Sequence, residues 1–244
     1  VPINLINFFN YILPLFNNDG GYERLLAYTD KYHGIAFHYF SQPIQLLTNS
    51  LVEKINFVNI EYANYISRHL AVFISFNIAG IFFYLLSVKL TDSKNFALTA
   101  TAVFLLYPYL FGHAQINGKD IPFLTMWLIC TYYLFNLVEN LYNNKKIIFL
   151  NLFLISFFSA FLISIRITGV LILLEYLIAL IILINLKNLN PLKFFLKNTL
   201  SLLIFFSLLV LFVYILNPIF WHNPLEFFNS VSWMGKFYHD ICTL

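Results

Sequence analysis

The segment from Pro108 to Phe123, PYLFGHAQINGKDIPF, places the residue types of a charged binding site between two long apolar runs. His113, Lys119 and Asp120 lie in this segment, although charged residues make up only 10% of the chain. A lysine and a histidine can hold a phosphate, and a carboxylate can accept a proton. The segment therefore predicts anion binding, proton transfer, or both.

Lys119 and Asp120 come just before Pro122, a position that predicts the start of a helix. Asp120 is a candidate catalytic carboxylate, but a carboxylate in a first turn also offsets the helix dipole. Lys119 is unfavourable at that end of a helix unless an anion is present, so phosphate binding is the preferred interpretation. His113 is expected either to bond a phosphate or sugar or to be an ordinary interfacial histidine.

The composition predicts an integral membrane protein. Hydrophobic residues make up 60% of the 244 residues, with 29 Phe and 16 Tyr. A bilayer accepts so much apolar surface, provided that helices satisfy the backbone hydrogen bonds. Cys130 and Cys242 predict no disulfide framework, and no basic surface of the kind that reads nucleic acid is present.

The expected fold is all-α and polytopic. Apolar runs predict six membrane spans, at 70–88, 95–112, 122–138, 147–164, 168–186 and 199–217. This divides the chain into an extracytoplasmic loop with interfacial helices (1–69), a transmembrane domain (70–217) and the start of an extracytoplasmic segment (218–244).

Loop charges predict the orientation, because cytoplasmic loops retain Lys and Arg. One set of alternate loops contains seven lysines, and the other short loops contain only Lys119 and Arg166. The seven are Lys89, Lys94, Lys145, Lys146, Lys187, Lys193 and Lys197. The segments 1–69 and 113–120, Arg166 and the tail are therefore predicted to face outward.

Four further residues on that side are candidates for substrate binding. Arg166 lies between two apolar runs with almost no loop, and an ionisable residue at that depth indicates either function or snorkelling to headgroups. Arg68 and His69 precede a span, where anchoring to headgroups is the alternative. Trp221 could stack on a sugar, or it could belong to an interfacial aromatic belt.

The last two candidates are Asp30, as a catalytic carboxylate, and His33, as a binding residue. Asp30 lies four residues before Gly34 and His33 directly before it, and a glycine permits a close approach of backbone to ligand. As an alternative, Asp30 is a solvated loop residue. The histidines show no recognised metal-ligand spacing, so no metal site is expected.

Five stretches, in order, resemble the GT-C superfamily of membrane glycosyltransferases, specifically relatives of dolichyl-phosphate-mannose protein mannosyltransferases (glycosyltransferase family 39). They are YTDKYHGIAF (28–37), SRHL (67–70), PYLFGHAQINGKDIP (108–122), RITG (166–169) and NPIFWHNP (217–224). The resemblance implies transfer, with inversion, of a sugar from a polyprenyl-phosphate donor to an extracytoplasmic glycan, lipid or protein. The compact loops and the abundance of Lys, Asn, Ile and Phe predict a bacterial inner membrane. The lipid-linked donor would be a substrate, and no cofactor is expected.

The chain departs from this family in two respects, a missing acidic pair and a tail that stops soon after the Trp221 motif, where members usually continue through further helices. Members usually have an adjacent Asp-Glu pair after their first transmembrane helix, and no such pair is present here. The expectation is a fragment that lacks the first helix and the C-terminal part, with a general base that is either Asp30 or upstream of Val1. The alternatives are a transporter or lipid flippase and a non-catalytic membrane anchor.

Overall fold

The computed structural model describes residues 27, 32, 34–55, 60–145 and 148–233, and every regular element within them is helical. The helices are α1 (Ala36–Ile55), α2 (Ile60–Thr91), α3 (Lys94–Leu106), α4 (Pro108–Ile116), α5 (Asp120–Tyr142), α6 (Phe149–Ile165), a 3₁₀ helix (Ile167–Leu171), α7 (Ile172–Leu186), α8 (Pro191–Leu216) and α9 (Ile219–His222). Residues 226–233 are also helical. This confirms the all-α prediction.

Short polar residues begin two of these helices. Ser93 accepts a hydrogen bond from the Phe96 backbone at the start of α3, and Asn190 accepts one from the Lys193 backbone at the start of α8. Each side chain satisfies an amide that the helix leaves without a partner. These two caps help to fix where α3 and α8 begin.

The number of spans differs from the prediction of six. Within the described residues four helices are long and apolar enough to cross a membrane, within Tyr65–Thr91, Asp120–Tyr142, Ile167–Leu186 and Pro191–Leu216. The segment predicted at 147–164 is α6, which has only 17 residues. At about 1.5 Å per residue, α6 is shorter than a hydrocarbon core of about 30 Å.

The segment predicted as one span at 95–112 is instead two helices, α3 and α4, which meet at 58°. Pro108 is the reason. It cannot donate a hydrogen bond, and it forces the preceding Tyr107 into an extended conformation (φ −61°, ψ 117°). If the bent pair crosses as one unit, the number of spans is five.

Small polar side chains join the helices where they pack. α6 packs against α5 and α8, and α2 packs against α1, α3 and α5. Buried bonds link Ser75 to Thr125 (3.0 Å), Ser159 to Tyr176 (2.6 Å), and Asn217 to Ser164 (2.7 Å). Such pairs let helices approach closely in a membrane, where the hydrophobic effect does not drive one helix against another.

The outer surfaces of α7 and α8 are apolar. Exposed side chains on them include Leu174, Ile178, Ile181, Ile182, Leu200, Leu203, Val210 and Leu211. An apolar exposed face of this extent is unusual for a protein in water and ordinary for one in lipid. Together with the long apolar helices, it is consistent with an integral membrane protein.

The two ends of the bundle have different charges. We call one the Arg166 end, where Arg166 meets the start of α5. The other, which contains Lys89 and Lys187, we call the lysine end. At the lysine end Lys89 pairs with Glu139 (2.7 Å) and Lys187 donates to Asn144 (3.3 Å). The alternation of loop charge along the sequence thus corresponds to two opposite ends of the folded chain.

Glu175, which has no evident partner in the sequence, joins α7 to α5. Its carboxylate accepts hydrogen bonds from Trp127 Nε1 (2.7 Å) and Thr131 Oγ1 (2.9 Å). We expect Glu175→Ala to lower stability by about 1–3 kcal/mol, since it leaves the indole N–H without an acceptor. Thermal unfolding in detergent measures this, with Glu175→Gln as the control that keeps an acceptor. Equal unfolding temperatures for the two variants would contradict the prediction.

Candidate functional site

The loop between α4 and α5 is organised by Asn117. Its Oδ1 accepts hydrogen bonds from the backbone amides of Lys119 (3.1 Å) and Asp120 (2.9 Å), which begins α5 at the predicted place. Its Nδ2 donates to Asp120 Oδ2 (2.7 Å) and to His113 Nδ1 (3.0 Å). An amide nitrogen can only donate, so His113 accepts through Nδ1 and carries its proton on Nε2 when neutral.

Asp120 does not act as an N-terminal cap through its side chain. Its Oδ1 lies 2.6 Å from an Arg166 guanidinium nitrogen, while Oδ2 accepts from Asn117. Half of the Asp120 side chain and a third of the Arg166 side chain are exposed to solvent. The pair therefore joins the start of α5 to the end of α6 at an accessible surface, where a ligand can reach it.

Arg166 has a fixed position because the backbone around it is crowded. It follows α6 in an extended conformation (φ −146°, ψ 134°), and the 3₁₀ helix begins directly after it. A Cβ on Gly169 would lie 2.8 Å from the Leu162 carbonyl, and one on Gly34 would lie 2.2 Å from the Ser164 and Ile165 oxygens. Only glycine allows these approaches, so the RITG stretch and the glycine of YTDKYHGIAF are packing positions next to Arg166.

His38 on α1 is a residue of this end that the sequence did not single out. Its Nδ1 and the Oε1 of Gln42, one turn later, are buried without a hydrogen-bond partner. Burial, helped by the charges of Arg68 and then Lys119, lowers the His38 pKa to about 4. The imidazole is therefore neutral at physiological pH, and two of the predicted cations lie close enough to act on it.

This pKa predicts acid sensitivity. An unfolded histidine takes up its proton near pH 6.5, whereas folded His38 does so near pH 4, so between these values the unfolded state binds more protons. Stability falls as the pH drops through this window, by an amount on the order of 3 kcal/mol at pH 4. Unfolding temperatures at pH 4 to 8 should fall less for His38→Gln than for the unsubstituted protein. Parallel profiles would contradict this.

His69 joins α2 to the end of α4. Its Nδ1 contacts the backbone oxygen of Gln115, and its ring packs on Tyr65. Arg68 is exposed beside it. Both residues lie inside α2, so the predicted boundary at 69/70 falls within a continuous helix.

Trp221 follows α8 at the same end. Its Nε1 donates to the Tyr214 carbonyl (2.7 Å), and the Tyr214 hydroxyl donates to the Trp221 carbonyl (3.1 Å). This reciprocal pair fixes the turn after α8, which gives the indole a structural role whether or not its ring meets a ligand. Nearby, Tyr32 donates to Glu226 (2.5 Å), and burial with this bond raises the Tyr32 pKa to about 12.

The fold thus brings together residues from distant stretches of sequence. His113, Asp120 and Arg166 join directly or through Asn117, and Lys119 and Arg68 both act on His38. Asp30 and His33 lie outside the described residues. Asn117 was not predicted, although the Asn-Gly pair before a helix start is a recognisable turn signal. In the described part of the chain no three His, Cys, Asp or Glu side chains group as a metal site would require.

Comparisons of the chain with known protein families, with curated proteins and with solved structures find no match. The resemblance to GT-C glycosyltransferases therefore depends on the five sequence stretches and on the chemistry of the Arg166 end.

Proposed function

We propose that this chain is a GT-C-type glycosyltransferase that moves a sugar from a polyprenyl-phosphate donor to an extracytoplasmic acceptor. The single observation that carries the proposal is the Asp120–Arg166 ion pair (2.6 Å), which joins two of the resembling stretches at an accessible surface. The family assignment and the GT-C fold are part of this proposal.

The reaction needs two kinds of group. The bond between the sugar C1 and the phosphate oxygen breaks as the acceptor oxygen bonds to C1, and the acceptor proton must go to a base. Negative charge then grows on the departing polyprenyl phosphate, where cations stabilise it. Arg166, Lys119 and Arg68 are the cations proposed for that phosphate, and His113 is a further hydrogen-bonding group, joined to Asp120 through Asn117.

Asp120 has two possible roles in this scheme. Both of its oxygens have partners, Arg166 and Asn117, which suits a carboxylate that positions the arginine better than one that takes a proton. We therefore assign Asp120 to positioning and propose Asp30 as the base. The variant Asp120→Asn distinguishes the two roles. If Asp120 were the base, the variant would lose one limb of the pH–rate profile. If Asp120 positions Arg166, the variant should mainly raise the KM for the donor.

The distribution of lysine supports an orientation. The lysine end would be cytoplasmic by the positive-inside rule, so the Arg166 end would face the periplasm or the exterior. A lipid-linked donor reaches that side of a bacterial inner membrane, where nucleotide sugars are absent.

The test is release of free polyprenyl phosphate from radiolabelled polyprenyl-phosphate sugars by membranes that contain the protein. A transferase releases the lipid phosphate and labels an acceptor, and the release is lost on Asp30→Asn. If no donor is consumed, the proposal is wrong.

A transporter or lipid flippase is the second candidate, and the bend between α3 and α4 favours it. Transporters build substrate sites from helices that are broken within the membrane, and this break lies within a segment predicted to be one continuous span. A flippase would move a lipid across liposomes without changing its covalent structure. Straightening the break with Pro108→Ala should then impair translocation.

A further inference from the structure

We infer that the lysine end contains a binding site for an anionic membrane phospholipid, with the headgroup held by lysines and a tail lying between helices. This site is at the opposite end of the bundle from Arg166, so it does not depend on the proposed transferase activity.

The headgroup part is a cavity of about 590 Å³ between the end of α5 and the first turns of α8. Lys193 and Lys197 lie on one face of α8, four residues apart, and Lys145 faces them from the loop after α5. Like charges at this spacing repel one another unless an anion lies between them. Asn190, Asn198 and Ser201 add neutral hydrogen-bonding groups to the lining.

No acidic side chain is among the residues that line this cavity within the described chain. The Glu139 carboxylate interacts mainly with Lys89 and less with Lys145, and it is paired with Lys89 at 2.7 Å. The cavity therefore has an excess of positive charge that the neighbouring carboxylate does not balance, which is complementary to a phosphate diester.

The tail part is an apolar cavity of about 210 Å³ that adjoins the first one. Leu141, Phe194, Asn198 and Ser201 line both, so the polar mouth continues directly into the apolar space. α7 packs against α5, and α8 packs against α6. The main contacts of α7 and α8 are therefore not with each other. The groove between them reaches the apolar outer surface at exposed Leu177 and Phe206.

A cationic mouth joined to an apolar groove matches an amphiphile with one anionic head. A soluble phosphate would use the mouth alone and leave the groove unoccupied. On the cytoplasmic side of a bacterial membrane the abundant molecules with both parts are anionic phospholipids, which basic pockets between membrane helices bind.

Native mass spectrometry can count the phosphatidylglycerol molecules bound to the full chain. The protein is first placed in nanodiscs of phosphatidylglycerol and phosphatidylcholine and then transferred into detergent, and the lipid that it retains is measured. Each lysine beside an anionic headgroup contributes roughly fivefold in affinity, so Lys193→Gln or Lys197→Gln should weaken retention about fivefold and the double variant about thirtyfold. Lys94→Gln, an exposed lysine at the same end that lines neither cavity, is the matched control and should change nothing.

A second arm separates a lipid from a soluble anion. Leu202→Trp should fill part of the groove and lower phosphatidylglycerol retention with every lysine in place. Unchanged retention in this variant, with displacement of the lipid by millimolar inorganic phosphate, would mean a soluble-anion site and overturn the inference. Equal losses in Lys94→Gln and Lys193→Gln would show general attraction to a basic surface and would overturn it too.

A third arm uses the unsubstituted protein, so it does not depend on any variant folding. Phosphatidylglycerol with a photoreactive diazirine in its acyl chain should label peptides from 173–180 and 194–206, and phosphatidylcholine with the same chain should label them much less. Labelling spread evenly over the exposed apolar faces of all helices would contradict a defined site.

Discussion

Arg166→Gln is expected to lower sugar transfer by about 100-fold to 1,000-fold, the usual cost of removing one group that stabilises negative charge in a transition state. The guanidinium is proposed to hold the departing phosphate, and the glutamine amide carries no charge. Single-turnover release of polyprenyl phosphate from labelled donor measures the loss. Arg166→Lys should recover only part of the activity, because an ammonium cannot make the planar two-pronged contact of a guanidinium.

The opposite end of the bundle offers a matched control. Lys89 and Glu139 form an ion pair of similar length and exposure, 2.7 Å against 2.6 Å. Surface pairs of this kind contribute little to stability, about 0–1 kcal/mol. Lys89→Gln should therefore leave transfer unchanged. Transfer that survives Arg166→Gln, or that falls equally in Lys89→Gln, would refute the role of Arg166 in phosphate binding.

Gly34→Ala is expected to have the largest effect on stability. The added Cβ would lie 2.2 Å from two backbone oxygens at the end of α6, and backbone atoms cannot move aside as the tip of a side chain can. Overpacking of this kind costs roughly 3 kcal/mol, which corresponds to an unfolding temperature lower by about 6–12 °C. Thermal unfolding in detergent, followed by loss of monodisperse protein, measures it.

Gly112→Ala is the matched control for this prediction. A Cβ at Gly112, within α4, would meet no atom within 4 Å. Alanine is also the better helix former by about 1 kcal/mol, so this variant should be neutral or slightly stabilised. The same unfolding temperature for Gly34→Ala and Gly112→Ala would mean that the segment before α1 does not pack against the end of α6 as described.

Several features of the fold could be predicted from the sequence. Long apolar runs indicated membrane helices because only a helix satisfies its own backbone in lipid, and α2, α5, α7 and α8 lie where those runs predicted them. The start of α5 at Asp120 followed from the residues before Pro122. Less predictable were α6, which is a few residues too short, and the bend at Pro108, which lies inside a single apolar run.

The chemistry of the candidate site was harder to predict. The sequence singled out Asp120 and Arg166 separately, but nothing in their spacing of 46 positions shows that they form a pair. Asn117 and His38 were not identified, since an asparagine in a loop and a histidine in an aromatic segment have ordinary local explanations. Asp30 and His33 stay predictions.

By itself, the sequence determined the class of protein, the positions of the main apolar helices and the alternation of lysine between loops, because hydrophobic length and loop charge are local properties. Only the tertiary structure decided which polar groups meet. Glu175 accepts hydrogen bonds from Trp127 and Thr131 on another helix. Gly34 packs closely against the end of α6, and Asp120 pairs with Arg166. Contacts between residues far apart in the chain depend on how the helices pack, and the packing depends on small side chains spread along every helix.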